Sequence, residues 1–285
     1  MSLPPRLARF LPALACPGCG ESLAAAPDAL GCTGCAARYP VRDGRVYFRA
    51  PGERTDHVDS LKGRLKQLLG RWYYSIGVRV LAPTYPFPFA GKLRRHLDCS
   101  RHLVVDAGCG VHRCDDDALG LDMYDYPAVD IVCDLEALPF RPGSLDAIVT
   151  RSVLEHVAEP QAVVRGFLHC TRPGGLGMHQ VPFLFPFHAA PHDYHRFTHM
   201  GLRRLFAEWK VMEQVNASGP VTLALLAGIE LASTLLALGR PGPKAVVYLL
   251  LCGCLFPLKL LDAPFIGRPS MLAMAPSIFL HVVKP

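Results

Sequence analysis

The chain has 285 residues, 51% of them hydrophobic and 19% charged. That is enough for a full core in one large domain or two small ones, and slightly oilier than an ordinary soluble domain. The formal net charge of +6 admits acidic partners (anionic lipid, nucleic acid or a phosphorylated substrate) but is too modest to single one out.

The N-terminus, MSLPPRLARFLPALACP, is apolar but broken by Pro4, Pro5 and Pro12. It lacks the apolar core and cleavage site of a secretory leader. Of eleven cysteines, four form one cluster and the rest are scattered, which fits a reducing cytosol. Cys16-Pro-Gly-Cys19 and Cys32-Thr-Gly-Cys35 are two knuckles separated by twelve residues. Four thiolates at this spacing suit a tetrahedral zinc ion in a closed structural site, with a disulfide pair as the rival. Arg38 to Tyr47 follows as a strand, a turn at Asp43-Gly44 and a second strand. The CPGCG, CTGC and YPVRDG pieces resemble a small zinc-ribbon family that includes activator subunits of tRNA and translation-factor methyltransferases. The ribbon is expected over 8–50.

Residues 51–60 are polar and turn-rich, so 51–99 is read as a linker followed by a basic helix. Leu61, Leu65, Leu68, Leu69 and Trp72 recur at helical spacing among Lys62, Arg64, Lys66 and Arg71. This helix either covers the edge of the next domain or lies on a membrane surface. The following TYPFPFAG is a proline-stiffened loop over the cofactor mouth or an irregular connection.

From Leu103 the pattern is strand and helix in alternation. Expected strands are Leu103–Asp106, Ala118–Asp122, Asp130–Cys133, Ala147–Thr150 and Gly177–Val181, with Ser277–Lys284 closing the sheet. This is an α/β, doubly wound pattern, whose ligands sit at the C-terminal ends of the strands. The ordered set LVVDAGCG, GLD, CDLEALPF, LDAIVTRSVLEHV and PGG resembles class I S-adenosylmethionine-dependent methyltransferases. The resemblance covers about 100–219 plus the last strand. It implies a Rossmann-like methyltransferase domain over 100–285.

The resemblance also assigns roles. Asp106, Gly108 and Gly110 would line the turn holding the methionine end of S-adenosylmethionine. Asp122 would accept from the ribose hydroxyls. Asp134 would meet the adenine amino group, Leu135 would pack on the ring, and Ser152 would sit near the transferred methyl. His156 reads as a structural residue at a helix start, and Cys109 and Cys133 as small core residues. Two departures stand out. Val111-His112-Arg113 replaces the third glycine. Eleven residues separate Gly110 from Asp122, and eleven separate Asp122 from Asp134. At ~1.5 Å rise per residue neither gap holds more than about two helical turns, so shortened first helices are expected.

After the fifth strand comes QVPFLFPFHAAPHDYHRFTHMGLRRLF. The order VPF, H, P, DY, RFT, GL resembles a subgroup linked to envelope or glycan biosynthesis. His188 or His192 is the candidate base for an acceptor hydroxyl, with His192 oriented by Asp193, and Tyr194 and Arg196 beside them. Alternatively Asp193, Tyr194 and Arg196 only brace the loop, or the histidines bind a metal.

Residues 221–239 and 245–261 carry one charge each, Glu230 and Lys259, and flank a turn with Arg240 and Lys244. They read as a hydrophobic helical hairpin inserted over 220–268. It contacts a membrane, lines a lipid-accepting tunnel or forms an oligomer core. The reading is a cytoplasmic enzyme, peripheral to the inner face of a membrane. It would O-methylate a lipid-linked or envelope glycan or another small-molecule acceptor. The alternatives are a noncatalytic scaffold acting through its ribbon, or an RNA or protein methyltransferase. There is no specific nucleic-acid signal and no (N/D)PPY-type motif. The sequence does not set the oligomeric state.

Overall fold

The computed structural model describes residues 3–52, 77, 80–188 and 192–285. The basic helix expected after residue 60 lies almost wholly outside these. Eleven strands form one sheet among the described residues, in the order β1-β2-β3-β4-β7-β6-β5-β8-β9-β11-β10. The central strands are β5 (Val104–Ala107), β6 (Leu119–Asp122), β7 (Ile131–Val132), β8 (Leu145–Arg151) and β9 (Thr171–Pro182). All pair in parallel. β5, β6 and β7 are buried on both faces, which is why they read as unbroken apolar runs. β11 (Ser277–Val283) inserts antiparallel between β9 and β10 (Lys210–Asn216). This is a doubly wound, Rossmann-like arrangement.

The N-terminal ribbon is part of that sheet. β1 (Leu23–Ala25), β2 (Ala29–Cys32), β3 (Arg38–Arg42) and β4 (Arg45–Tyr47) form an antiparallel meander. Asp43 and Gly44, at φ 49° and 75°, make the two-residue turn that suits the strand twist. β4 then pairs in parallel with β7, Val46 facing Ile131 and Tyr47 facing Val132. Leu7 and Phe10 of α1 (Pro5–Phe10), with Leu14, Leu30, Val41 and Val46, are buried in one cluster with Val105, Leu119 and Ile148. Ribbon and central sheet therefore share a core. The four cysteine Sγ atoms lie within 4.8 Å of one another, with Cys19–Cys32 at 3.4 Å and Cys16–Cys35 at 3.8 Å. A tetrahedron with bonds of ~2.3 Å has edges of ~3.8 Å, so the set fits zinc.

The gaps from β5 to β6 and from β6 to β7 contain turns and no helix. Side chains replace the missing helical bonds. Asp106 Oδ2 accepts from Cys114 N at 2.6 Å, and Arg151 Nη2 donates to His112 O at 2.7 Å. Arg113 Nη1 donates to Ala128 O and to Asp130, which also accepts from Gly120 N. The TYPFPFAG segment leads into α2 (Phe89–Arg94), and Phe87 and Phe89 pack on Phe279 of β11. It is an irregular connection anchored in the core.

α3 (Pro160–Cys170) and α4 (His199–Leu205) flank β9 in sequence. α5 (Pro220–Leu236) and α6 (Pro241–Leu255) form the expected hairpin, and 3-10 turns over Phe256–Phe265 return the chain. Buried Asp262 ties that return to the start of α5, accepting from Gly219, Val221 and Thr222 backbone N–H groups. Such N–H groups have no partner within the helix itself.

Candidate active site

β5 ends in Gly108 and Gly110, both in the left-handed region at φ 72° and 58°. A Cβ on Gly108 would stand 2.5 Å from Val153 Cγ2, so only glycine fits the turn there. Gly108 N and Cys109 N donate to Leu121 O of β6 at 2.8 and 3.0 Å. Asp122, at the end of β6, accepts from Gly110 N at 2.9 Å through Oδ2 and from Tyr124 N at 3.0 Å through Oδ1. The second strand's carboxylate thus fixes the first strand's turn. Burial raises the Asp122 pKa above the usual carboxylate range.

Beyond β7, Asp134 Oδ1 accepts from Glu136 N at 3.0 Å, an Asx turn. Its Oδ2 pairs with Arg49 Nη1 at 2.8 Å. Arg49 follows β4, so the ribbon delivers a guanidinium to this rim. At the end of β8, Ser152 sits at φ 54°, a strained conformation for a residue with a Cβ. These groups surround one cavity of about 410 Å³, lined by Gly108, Gly110, Asp122, Asp134, Leu135 and Ser152, with Tyr124, Tyr126 and His156.

Six of the seven expected cofactor residues therefore meet at one cavity. Asp106 does not line it. It is fully buried beneath the turn, where it holds Cys114 N and meets Arg151 Nη2 at 3.1 Å. Burial raises its pKa as well, against the pull of Arg151.

The loop after β9 divides its residues. His192 and Tyr194 line the same cavity, their rings stacked 5.3 Å apart. Asp193 and Arg196 form a paired clamp, with Arg196 Nη2 at 2.6 Å from Oδ2. Arg196 also donates to Phe185 O and Pro186 O at 3.0 Å. Asp193 accepts from His188 N at 2.8 Å, so it turns toward His188 rather than toward His192 as expected. The pair braces the loop. Hydrogen bonds from Arg196 and His188 outweigh burial and hold the Asp193 pKa down at about 2.

His188 lies with its Nε2 at 3.6 Å from Glu155 Oε1. His156 sits in a turn over 154–156, and α3 begins only at Pro160, so the helix start expected at His156 is displaced. Its Nδ1 donates to His192 O. Sequence reasoning missed Arg49 and Glu155. Glu155 was legible within LEHV, but its neighbour His188 is far along the chain. Cys109 and Cys133 are buried thiols whose pKa burial pushes up.

Residues 98–178 match a protein family described as a methyltransferase domain. A Mycolicibacterium gilvum protein described as an uncharacterized methyltransferase is 48% identical over 42 residues, 15% of this chain and 16% of its own length. The chain thus aligns with only about a sixth of that relative. Phosphoethanolamine N-methyltransferase 2 of Haemonchus contortus, with S-adenosyl-L-methionine, is similar at a TM-score of 0.48 and 14% identity, over 81% of this chain and 58% of that one. A Burkholderia thailandensis 1,6-didemethyltoxoflavin-N1-methyltransferase gives 0.44 and 13%, over 87% and 95%. The cyclase SpnF gives 0.47 and 14%, over 82% and 98%.

Proposed function

From the methyltransferase domain that the chain carries at residues 98–178, we propose an S-adenosylmethionine-dependent methyltransferase acting on an acceptor hydroxyl. When bound, S-adenosylmethionine supplies an electrophilic methyl group on a sulfonium. The observation that carries the reading is the cavity itself. One space of about 410 Å³ gathers Gly108, Gly110, Asp122, Asp134, Leu135 and Ser152. They come from the C-terminal ends of adjacent parallel strands, where this architecture binds ligands.

Each residue has a part it is chemically suited to. Gly108 and Gly110 let a ligand lie against backbone, and a Cβ at Gly110 would meet open space. Asp122 uses one lone pair of each oxygen on backbone N–H groups, leaving acceptor capacity for a pair of ribose hydroxyls. Asp134 and Leu135 hold the adenine, with Arg49 paired to Asp134 at 2.8 Å. Ser152 stands by the methyl group. His192, in the cavity beside Tyr194, takes the acceptor proton as the oxygen attacks. Asp193 and Arg196 position this loop, and fixed positioning supplies much of the rate in an in-line displacement.

The four-cysteine cluster suits a structural zinc that keeps the ribbon folded. The acceptor we favour is a lipid-linked or envelope glycan precursor, taken at the inner face of a membrane. The apolar hairpin, with Leu235, Leu236 and Leu238 exposed, supports that choice.

Calorimetric titration with S-adenosylmethionine tests the core of the reading. The wild type binds, and Asp122→Ala weakens binding by about tenfold or more, roughly 1.4 kcal/mol or above. A wild type that does not bind the cofactor overturns the enzyme and leaves the scaffold reading.

A further inference from the structure

Among the described residues, Glu155 is a carboxylate with both oxygens buried and without a hydrogen-bond partner. A buried carboxylate without a partner is strongly disfavoured, so something positive must answer it. The nearby guanidinium of Arg196 is spent on Asp193 and on the carbonyls of Phe185, Pro186 and His195. What faces Glu155 instead are two imidazoles. Its Oε1 lies 3.7 Å from His156 Nε2 and 3.6 Å from His188 Nε2.

The other nitrogens of both rings are engaged with carbonyls. His156 Nδ1 meets His192 O, and His188 Nδ1 meets Pro186 O at 3.2 Å. A carbonyl only accepts, so each Nδ1 carries a proton. The Nε2 atoms of both rings are directed at the same space as the carboxylate. Outer hydrogen bonds of this kind orient and tune histidine ligands at metal sites. The three donor atoms lie within 4.8 Å of one another. Metal bonds of ~2.1 Å place donors ~3.0–3.5 Å apart. Glu155 Oε1 is within a few tenths of an ångström of that range from each Nε2.

We propose that Glu155, His156 and His188 bind a divalent first-row metal ion, zinc foremost, at a site separate from the cysteine cluster. Two imidazoles and one carboxylate suit zinc, iron, cobalt or nickel, and three protein ligands leave a coordination position open. The location gives that position a use. His156 lines the cofactor cavity, while His188 lines a neighbouring cavity of about 200 Å³ that shares Ser152 with it. An oxygen of the methyl acceptor would reach the ion from there, and coordination would lower the pKa of a hydroxyl. This last role rests on the methyltransferase reading; the binding of metal does not.

Equilibrium dialysis of the full-length protein against micromolar Zn²⁺ or Co²⁺, followed by elemental analysis, tests the site. The expected result is two equivalents in the wild type and one in Glu155→Gln. His188→Ala, at a half-buried loop position, also drops to one if Glu155→Gln fails to fold. Substituting Cys19 and Cys35 by Ser leaves one, and its cobalt form lacks thiolate-to-metal charge-transfer absorption. One equivalent in the wild type, or the same two in Glu155→Gln and His188→Ala, overturns the proposal. The first result would mean that protonated imidazoles answer Glu155. Cofactor titration reads S-adenosylmethionine binding independently, so the two readings fail separately.

Discussion

His179 shows what burial does to a single side chain. It sits in the middle of β9, fully buried, with Nδ1 at 2.9 Å from Thr150 Oγ1. Its ring lies between Phe167 and Phe206, at centroid distances of 5.7 and 4.5 Å. Burial first, and the neighbouring His281 second, lower its pKa from 6.5 to about 3. The folded state therefore refuses a proton that the unfolded chain takes up below 6.5. Stability is fully present above that value and falls as pH drops toward 3, by up to about 1.4 kcal/mol per unit for one such group. Denaturant midpoints measured at about pH 7 and about pH 5 should show the loss, and His179→Gln should reduce it. Equal slopes for the two proteins would refute the assignment. At this scale, legibility depended on whether a role is local. The strand-end positions of Asp122 and Asp134 were readable because one closes its strand, the other follows its strand, and each bonds to backbone two residues on. Glu155 and Arg49 were not, because their partners come from distant segments.

Among elements, the ribbon was legible as a unit but not as a component of the sheet. The cysteine knuckles and the Asp43-Gly44 turn are short-range signals. The parallel pairing of β4 with β7 is a contact between segments more than eighty residues apart, and no local pattern encodes it. The shortening of the first helices was readable from segment length alone, whereas their complete replacement by turns and a side-chain network was not. β10 escaped notice because the polar residues of KVMEQVN break the apolar run, although its last three residues are buried. Since ribbon residues share the core and Arg49 reaches Asp134, removing the ribbon's metal should be felt across the molecule. A chelator, or Cys19→Ser, is expected to lower the melting temperature in a single transition. A loss of roughly 2 kcal/mol corresponds to about 4–8 °C in a chain of this size. Calorimetry checks this. A separate low-temperature transition with the main one unmoved would show a ribbon that folds on its own.

On the scale of the whole molecule, the hairpin inserted between β10 and β11 exposes a run of leucines. Leu231, Leu235, Leu236 and Leu238 of α5 and its turn are all more than half exposed, Leu238 at 82%. Pro241–Phe265 is long and apolar enough to cross a membrane by length and composition, with 22% of its apolar window buried. Within the hairpin Lys244 pairs with Glu230, and among the described residues Arg240 is the charge left at the tip. A single unpaired cation there suits an anionic headgroup region better than passage through hydrocarbon. We therefore expect the hairpin to dip into one leaflet. Replacing Leu235, Leu236 and Leu238 together by glutamate should leave the fold intact, because none of the three is buried. Each buried leucine contributes roughly 1.5–3 kcal/mol, so partition onto anionic vesicles should fall by a factor on the order of 10³ or more. Flotation of wild type and variant with phosphatidylglycerol vesicles reads that directly. Equal partition of the two proteins would rule out the leaflet contact. Light scattering without lipid would then separate the remaining readings: a self-associating wild type beside a monomeric variant marks these leucines as an interface between copies.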